Sequence, residues 1–124
     1  MGWITFSFMI SSGLLGVIIS TVYYHRHEKY LMKLETLKEF AGNRYNIKGD
    51  PFSKALNEIF IVFNQSKEVK NALQAFHNNI RGNNPALSND LLVKLYKAMC
   101  SDLHIKTNDF TDAFFLTPFN TKKD

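Results

Sequence analysis

Residues 3–24 read WITFSFMISSGLLGVIISTVYY, and this stretch decides the architecture of the chain. It contains no Asp, Glu, Lys or Arg, although the chain has 15 Lys and Arg and 11 Asp and Glu. At about 1.5 Å per residue it forms a helix of roughly 33 Å, enough for the ~30 Å hydrocarbon core of a bilayer. Trp3 lies at one end and Tyr23 and Tyr24 at the other, where aromatic rings prefer the membrane interfaces. We therefore expect a transmembrane helix over residues 1–24.

A cleaved signal peptide is the alternative interpretation of this stretch. It requires a basic region before the apolar core and small residues at a cleavage site after it. Here no Lys or Arg precedes the core, and the sequence YYHRH follows at residues 23–27. The pattern favours an uncleaved signal-anchor helix. Because Arg26, Lys29 and Lys33 follow the span, the positive-inside rule predicts an N-terminus outside and the remaining chain in the cytoplasm.

Three small residues repeat every four positions within the predicted span: Ser12, Gly16 and Ser20. Small residues at this spacing allow two membrane helices to approach closely, so the pattern favours self-association. Ser and Gly are also common in membrane helices that act only as anchors, and that alternative stays open.

The remaining residues follow a helical period, with a stalk predicted over 25–43 and a cytosolic domain over 44–124. Gly42 predicts the end of the stalk helix, and Asp50, Ser66 and Ser88 are predicted to cap the next three helices. The fold class is thus all-α: one transmembrane helix followed by a small bundle of about four helices. On each of these three helices the apolar residues form a stripe that is predicted to face the core. The stripes are Phe52, Ala55, Leu56, Ile59, Phe60 and Phe63, then Val69, Ala72, Leu73, Phe76 and Ile80, then Leu91, Leu92, Leu95, Met99 and Leu103.

The sequence carries no recognisable catalytic constellation. Neither glycine-rich nucleotide fingerprint is present. His25 and His27 lie about 200° apart around a helix and cannot both face one metal ion. Cys100, the single cysteine, has no local base motif beside it. We therefore expect a protein that is not an enzyme and uses no cofactor or metal.

Three polar, basic segments are the candidate ligand-binding regions. The first contains Arg44, Tyr45 and Lys48, the second contains Asn78, Arg81, Asn83 and Asn84, and the third contains His104, Lys106, Thr107 and Asn108. Arg can hold phosphate in a fork, Asn can read base edges and Tyr can stack on a base. The first two segments are the predicted site. Asn, Gly and Arg are also ordinary loop formers, and the net charge of +4 is too small to favour duplex DNA.

The sequences SKALNEIFIVF at 53–63, KEVKNA at 67–72 and LLVKLYKAM at 91–99 precede a Phe-rich tail. Together they resemble an uncharacterised bacterial helical domain that follows one membrane helix. The architecture is also similar to small membrane effectors of type III CRISPR defence, whose cytosolic domain binds cyclic tetra-adenylate and oligomerises. This resemblance implies a location in the bacterial inner membrane, a cyclic oligoadenylate ligand and a homo-oligomer such as a tetramer.

Three functions follow as hypotheses. The first is an antiviral-defence effector that binds a cyclic nucleotide messenger and, as an oligomer, perturbs the membrane. The second is a membrane-tethered interaction module that recruits a cytosolic partner through the tail residues Phe110, Phe114, Phe115 and Phe119. The third is a small pore-forming toxin that needs no ligand.

Overall fold

The computed structural model describes the backbone of residues 2–82 and 85–120, and the side chains of residues 11–82 and 87–120. Its helices are α1 (Gly2–Gly42), α2 (Asp50–Val62), α3 (Lys67–Gly82), α4 (Pro85–Asp102) and α5 (Asp112–Leu116). The described residues contain no strand, so the prediction of an all-α chain is confirmed. Helix α1 ends at Gly42, as the sequence predicts.

Helix α1 contains the residues of the predicted transmembrane span. Among the residues that the structure describes, no helix combines the length and the apolar character that crossing a membrane requires. Residues 3–10 of the predicted span have side chains that lie outside the described part.

The chain divides into two compact units, residues 1–31 and 32–124. The division falls within the segment that the sequence assigns to a stalk. The last turns of α1 belong to the second unit because they contribute Leu37 and Phe40 to its core, where both side chains are buried. Lys33 Nζ also donates to Asp102 Oδ2 of α4 at 2.9 Å and lies 5.6 Å from the centre of the Phe63 ring.

The core of the second unit is built around aromatic rings. Phe40 stacks on Phe52 with ring centroids 5.3 Å apart and on Phe115 at 6.3 Å. Tyr96 of α4 lies 4.2 Å from Phe115, so one cluster joins α1, α2, α4 and α5. The largest fully buried side chains are Phe40, Phe52, Phe63, Ile59, Leu95, Met99, Val69 and Cys100.

Two residues of the predicted inward stripes are in fact exposed. Phe60 of α2 is 65% exposed and Ile80 of α3 is 49% exposed. Phe60 lies at the lateral edge of its stripe and Ile80 at the C-terminal end of its own, whereas Phe52, Ile59 and Phe76 are buried. A period of 3.6 residues identifies the apolar face but not the width or the length that is covered, which depend on the helices that pack against it.

The helix starts confirm one predicted cap and correct two. Ser66 caps α3, since Val69 N donates to its Oγ at 3.2 Å. Helix α2 is capped by Gly49 rather than Asp50, and a Cβ on Gly49 would lie 2.6 Å from Asn46 Nδ2. Ser88 is not a cap, because α4 already begins at Pro85. The Oγ of Ser88 instead accepts a hydrogen bond from Asn79 Nδ2 of α3.

Helix α4 ends in a Schellman motif with histidine at the left-handed position. Ile105 N donates to Cys100 O at 2.8 Å, and His104 N donates to Ser101 O at 3.1 Å. His104 has φ 58°, the only positive φ of a non-glycine residue in the described part of the chain. Glycine is the usual residue here, because a Cβ disfavours this conformation.

Replacing His104 by glycine is expected to stabilise the protein by about 1 kcal/mol, because the left-handed conformation costs L-residues about 1–2 kcal/mol. Thermal unfolding of the full chain in detergent, followed by circular dichroism, measures the gain. His77→Gly is the matched control, since a glycine inside α3 should destabilise by about 0.5–1 kcal/mol. A melting temperature of His104→Gly at or below that of the parent would mean that the left-handed conformation of His104 does not lower the stability of the protein.

Candidate functional site

A cavity of about 310 Å³ lies within the second unit, where α4, α5 and the segment between them meet the end of α1. The Schellman turn at His104 directs the following residues along its wall. The side chains that line it combine cations, hydroxyls and aromatic rings: Ala41, Arg44, Val93, Tyr96, Lys97, Ile105, Lys106, Thr107, Phe110, Thr111, Asp112, Phe114 and Phe115. This is the candidate site.

Arg44 is held in place on one side of the cavity. Its Nε donates to the backbone oxygen of Phe115 at 2.7 Å, and its Nη1 donates to the backbone oxygen of Ala41. The guanidinium also lies 5.0 Å from the centre of the Phe115 ring. These contacts use Nε and Nη1 and leave the two Nη2 protons for a further acceptor. Arg44 is therefore a tether between α1 and α5 as well as a charge at the cavity.

More cations than carboxylates line the cavity. The cations are Arg44, Lys97 and Lys106, and the one carboxylate among the described lining residues is Asp112. Lys97 Nζ lies 2.8 Å from Asp112 Oδ1, so this pair is neutral. Among the described residues no ion pair involves Lys106 or Arg44. The cavity therefore keeps an excess of positive charge, which favours an anionic ligand.

Aromatic rings also line the cavity. Phe110 and Phe114 stack with centroids 4.5 Å apart, and they are 64% and 42% exposed. The hydroxyl of Thr111 caps α5 by accepting from Phe114 N at 3.2 Å, which fixes the ring-bearing turn. Exposed rings that share a cavity with cations can stack on a planar base while the cations hold a phosphate.

Two titratable groups on α4 are kept neutral near this cavity. Burial, and then the proximity of Cys100, raise the pKa of the Tyr96 phenol. Burial also raises the pKa of the Cys100 thiol, which lies in the core. A thiol in that environment is a poor nucleophile, because the thiolate is the reactive form. The described residues that line this cavity provide cations, hydroxyls and aromatic rings as binding groups.

The predicted site residues are only partly brought together. Arg44 lines the cavity, but Tyr45 and Lys48 are exposed on the loop before α2 and do not line it. Asn78 and Arg81 are exposed on the last turns of α3. Asn83 and Asn84 lie outside the described residues.

The small-residue face of α1 is exposed along its length. Ser12, Gly16 and Ser20 are all exposed, and a Cβ on Gly16 would have nothing within 4 Å. A second helix could therefore approach this face without a steric obstacle.

Four lining residues are not in the predicted site. Lys106 and Thr107 belong to the third polar segment of the sequence, and Tyr96 and Lys97 belong to none of the three segments. The signal that could have found Lys106 is its place just after the predicted end of α4, on the turn that leads back to the Phe-rich tail. Pairing that turn with Arg44 required the tertiary contact between α1 and α5.

In the described part of the chain, no three His, Cys, Asp or Glu side chains lie close enough together to hold a metal ion. No family model matches the chain, and no curated protein or solved structure shows significant similarity to it. The case for function therefore depends on the chemistry of the cavity and on the sequence.

Proposed function

We propose that this protein is a membrane-anchored, non-enzymatic effector whose helical domain binds an anionic nucleotide in the cavity between α4, α5 and the end of α1. Residues 3–24 anchor the chain in the bacterial inner membrane, with the domain in the cytoplasm. The ligand class that we assign is a cyclic oligoadenylate, the messenger implied by the sequence resemblance.

The observation that carries the proposal is the convergence of Arg44 and Lys106 with the stacked rings of Phe110 and Phe114 at one cavity. A guanidinium and an ammonium group bind phosphate oxygens by charge-assisted hydrogen bonds. Aromatic rings bind bases by stacking, a contribution of about 1–3 kcal/mol per base. A nucleotide is the ligand class that uses both kinds of contact together.

The size of the cavity bears on how a cyclic ligand would bind. At about 310 Å³ it lies at the lower end of the ~300–1,000 Å³ range of small-molecule sites. It has room for one nucleotide unit rather than a whole oligoadenylate ring. Several copies of the chain would then share one ring, each binding one unit. This arrangement favours a homo-oligomer, which Ser12, Gly16 and Ser20 would support by close packing of α1.

Sharing a ligand between copies also provides a mechanism for signalling. A messenger that binds the assembled state more tightly than the separate chains shifts the equilibrium toward assembly. Clustered membrane helices would then perturb the bilayer.

The proposal is tested by titrating the full chain in nanodiscs with cyclic di-, tri-, tetra- and hexa-adenylate. One ring should bind selectively, and at 100 times its Kd it should stabilise the protein by about 2.7 kcal/mol. Lys106→Ala should weaken binding at least about tenfold, or 1.4 kcal/mol, while the melting temperature of the free protein stays unchanged. Lys48→Ala is the matched control, an exposed lysine outside the cavity that should leave the affinity unchanged.

Two results would contradict the proposal. If no ring binds, the messenger function fails, and recruitment of a protein partner becomes the better hypothesis. The exposure of Phe110 at 64% and of Phe119 at 83% favours that second function. If a ring binds but Lys48→Ala weakens it and Lys106→Ala does not, the ligand site lies on the loop before α2.

A further inference from the structure

A second concave surface lies between α2 and α3, lined by neither of the cations assigned to the nucleotide. Its volume is about 520 Å³. Its floor is apolar and includes Phe60, Leu73, Phe76 and Ile80, and its rim includes Lys70 and His77. We refer to it as the α2–α3 groove.

The groove leaves large apolar side chains in contact with water. Phe60 is 65% exposed and Ile80 is 49% exposed, whereas Phe76 beneath them is 2% exposed. Burying side chains of this kind against a partner is favourable. Contiguous exposed apolar surface with a polar rim is characteristic of interaction sites.

The titratable side chains that line the groove are both of the basic type. Lys70 and His77 lie seven residues apart on α3, which places them on one face about 10.5 Å apart along the helix. No Asp or Glu is among the described residues that line the groove. The acidic residues closest in sequence to the lining residues are Glu58, next to Asn57, and Glu68, two residues before Lys70. Glu58 lies 3.8 Å from Lys54. Because Lys70 lines the groove and none of the described lining residues is a carboxylate, the rim is complementary to a carboxylate.

The position of the groove between two packed helices favours a helical occupant. Leu73, Phe76 and Ile80 follow each other at three and four residues along α3, and Phe60 completes the floor from α2. Grooves between two packed helices accept the side-chain ridge of a third helix with the same spacing.

We propose that the α2–α3 groove docks an acidic amphipathic helix of a protein partner. The apolar side chains of that helix cover Phe60 and Ile80, and its Asp or Glu side chains bind Lys70 and His77. The inference is independent of the nucleotide site, since the two cavities share no lining residue.

The test uses the full chain in nanodiscs of zwitterionic lipid and fluorescence anisotropy of labelled peptides. The probe is a designed helical peptide with leucines spaced three and four residues apart and glutamates on both flanks. Two comparison peptides carry lysines in place of the glutamates, or the same composition in scrambled order. We expect the acidic peptide to bind at least about tenfold more tightly than either comparison peptide.

Variants then locate the bound peptide. Phe60→Ser should weaken binding by about tenfold or more, and it should not unfold the protein because the side chain is exposed. Ile61→Ser is the matched control, since Ile61 is 66% exposed on the same helix and does not line the groove. Lys70→Glu should reverse the preference toward the lysine peptide.

Three outcomes would overturn the proposal. Equal binding of the acidic and lysine peptides would remove the electrostatic argument. An equal loss of affinity in Ile61→Ser and Phe60→Ser would remove the groove as the docking surface. The third outcome is that no peptide binds and sedimentation velocity shows an oligomer that dissociates in Phe60→Ser but not in Ile61→Ser. The groove would then bind a second copy of this chain. Binding of cyclic oligoadenylate and its loss in Lys106→Ala are measured separately, so the test of the nucleotide site does not depend on these results.

Discussion

Replacing Phe40 by alanine is expected to destabilise the second unit by about 3–5 kcal/mol, the usual cost of removing a buried phenylalanine side chain. Phe40 has no exposed surface, and its ring stacks on Phe52 and Phe115 at centroid distances of 5.3 and 6.3 Å. The cavity left behind would remove contacts between α1, α2 and α5 at once. Since the free energy of unfolding of a small domain is only about 5–15 kcal/mol, this single change should remove a large part of it.

The measurement is equilibrium unfolding of the full chain by urea, followed by the circular dichroism of the helices. Phe60→Ala is the matched control, because it removes the same side chain from a position that is 65% exposed. That variant should change the free energy of unfolding by no more than about 0.5 kcal/mol, as for other exposed positions. Similar losses in the two variants would mean that α1 does not pack on this core through Phe40.

Replacing Arg44 by alanine is expected to have the second largest effect, because it lowers both stability and ligand affinity. The change removes the hydrogen bonds to Phe115 O and Ala41 O and the contact with the Phe115 ring. Hydrogen bonds to charged groups contribute about 1.5–3 kcal/mol each, and partial exposure of Arg44 reduces that value. We expect a loss of about 2–3 kcal/mol in the free energy of unfolding.

Arg44→Lys separates the two roles of this residue. A lysine keeps the positive charge at the cavity but lacks the planar fork that reaches both backbone oxygens. It should therefore recover part of the ligand affinity and little of the stability. Stability is measured by urea unfolding and affinity by titration with the selected cyclic oligoadenylate. A melting temperature of Arg44→Ala equal to that of the parent would contradict the tether between α1 and α5.

Arg44 and Lys106 differ in what the sequence shows about them. The sequence makes Arg44 a candidate because an arginine in a polar loop is chemically suited to bind phosphate. The sequence does not show that two of its donors are already engaged by backbone oxygens. The sequence shows Lys106 only as part of a polar segment, since nothing in a linear sequence places residue 106 near residue 44. That juxtaposition depends on the packing of α5 against the end of α1.

The burial of the tail phenylalanines also depends on tertiary packing. Four phenylalanines between residues 110 and 119 are equivalent by composition, and the sequence alone left open whether they are core or interface. In the structure Phe115 is 8% exposed and joins the aromatic core, whereas Phe119 is 83% exposed. A short helix presents successive side chains in different directions, so adjacent phenylalanines have different environments.

Four features of the structure can be predicted from the sequence: the helical content, the end of α1 at Gly42, the Ser66 cap and most members of each apolar stripe. These features depend on local spacing and on backbone groups within a few residues of each other. The packing of the helices specifies how far each stripe is covered, as Phe60 and Ile80 show, and which cations share a cavity. Those outcomes depend on contacts between residues far apart in the chain, and only the packed structure specifies them.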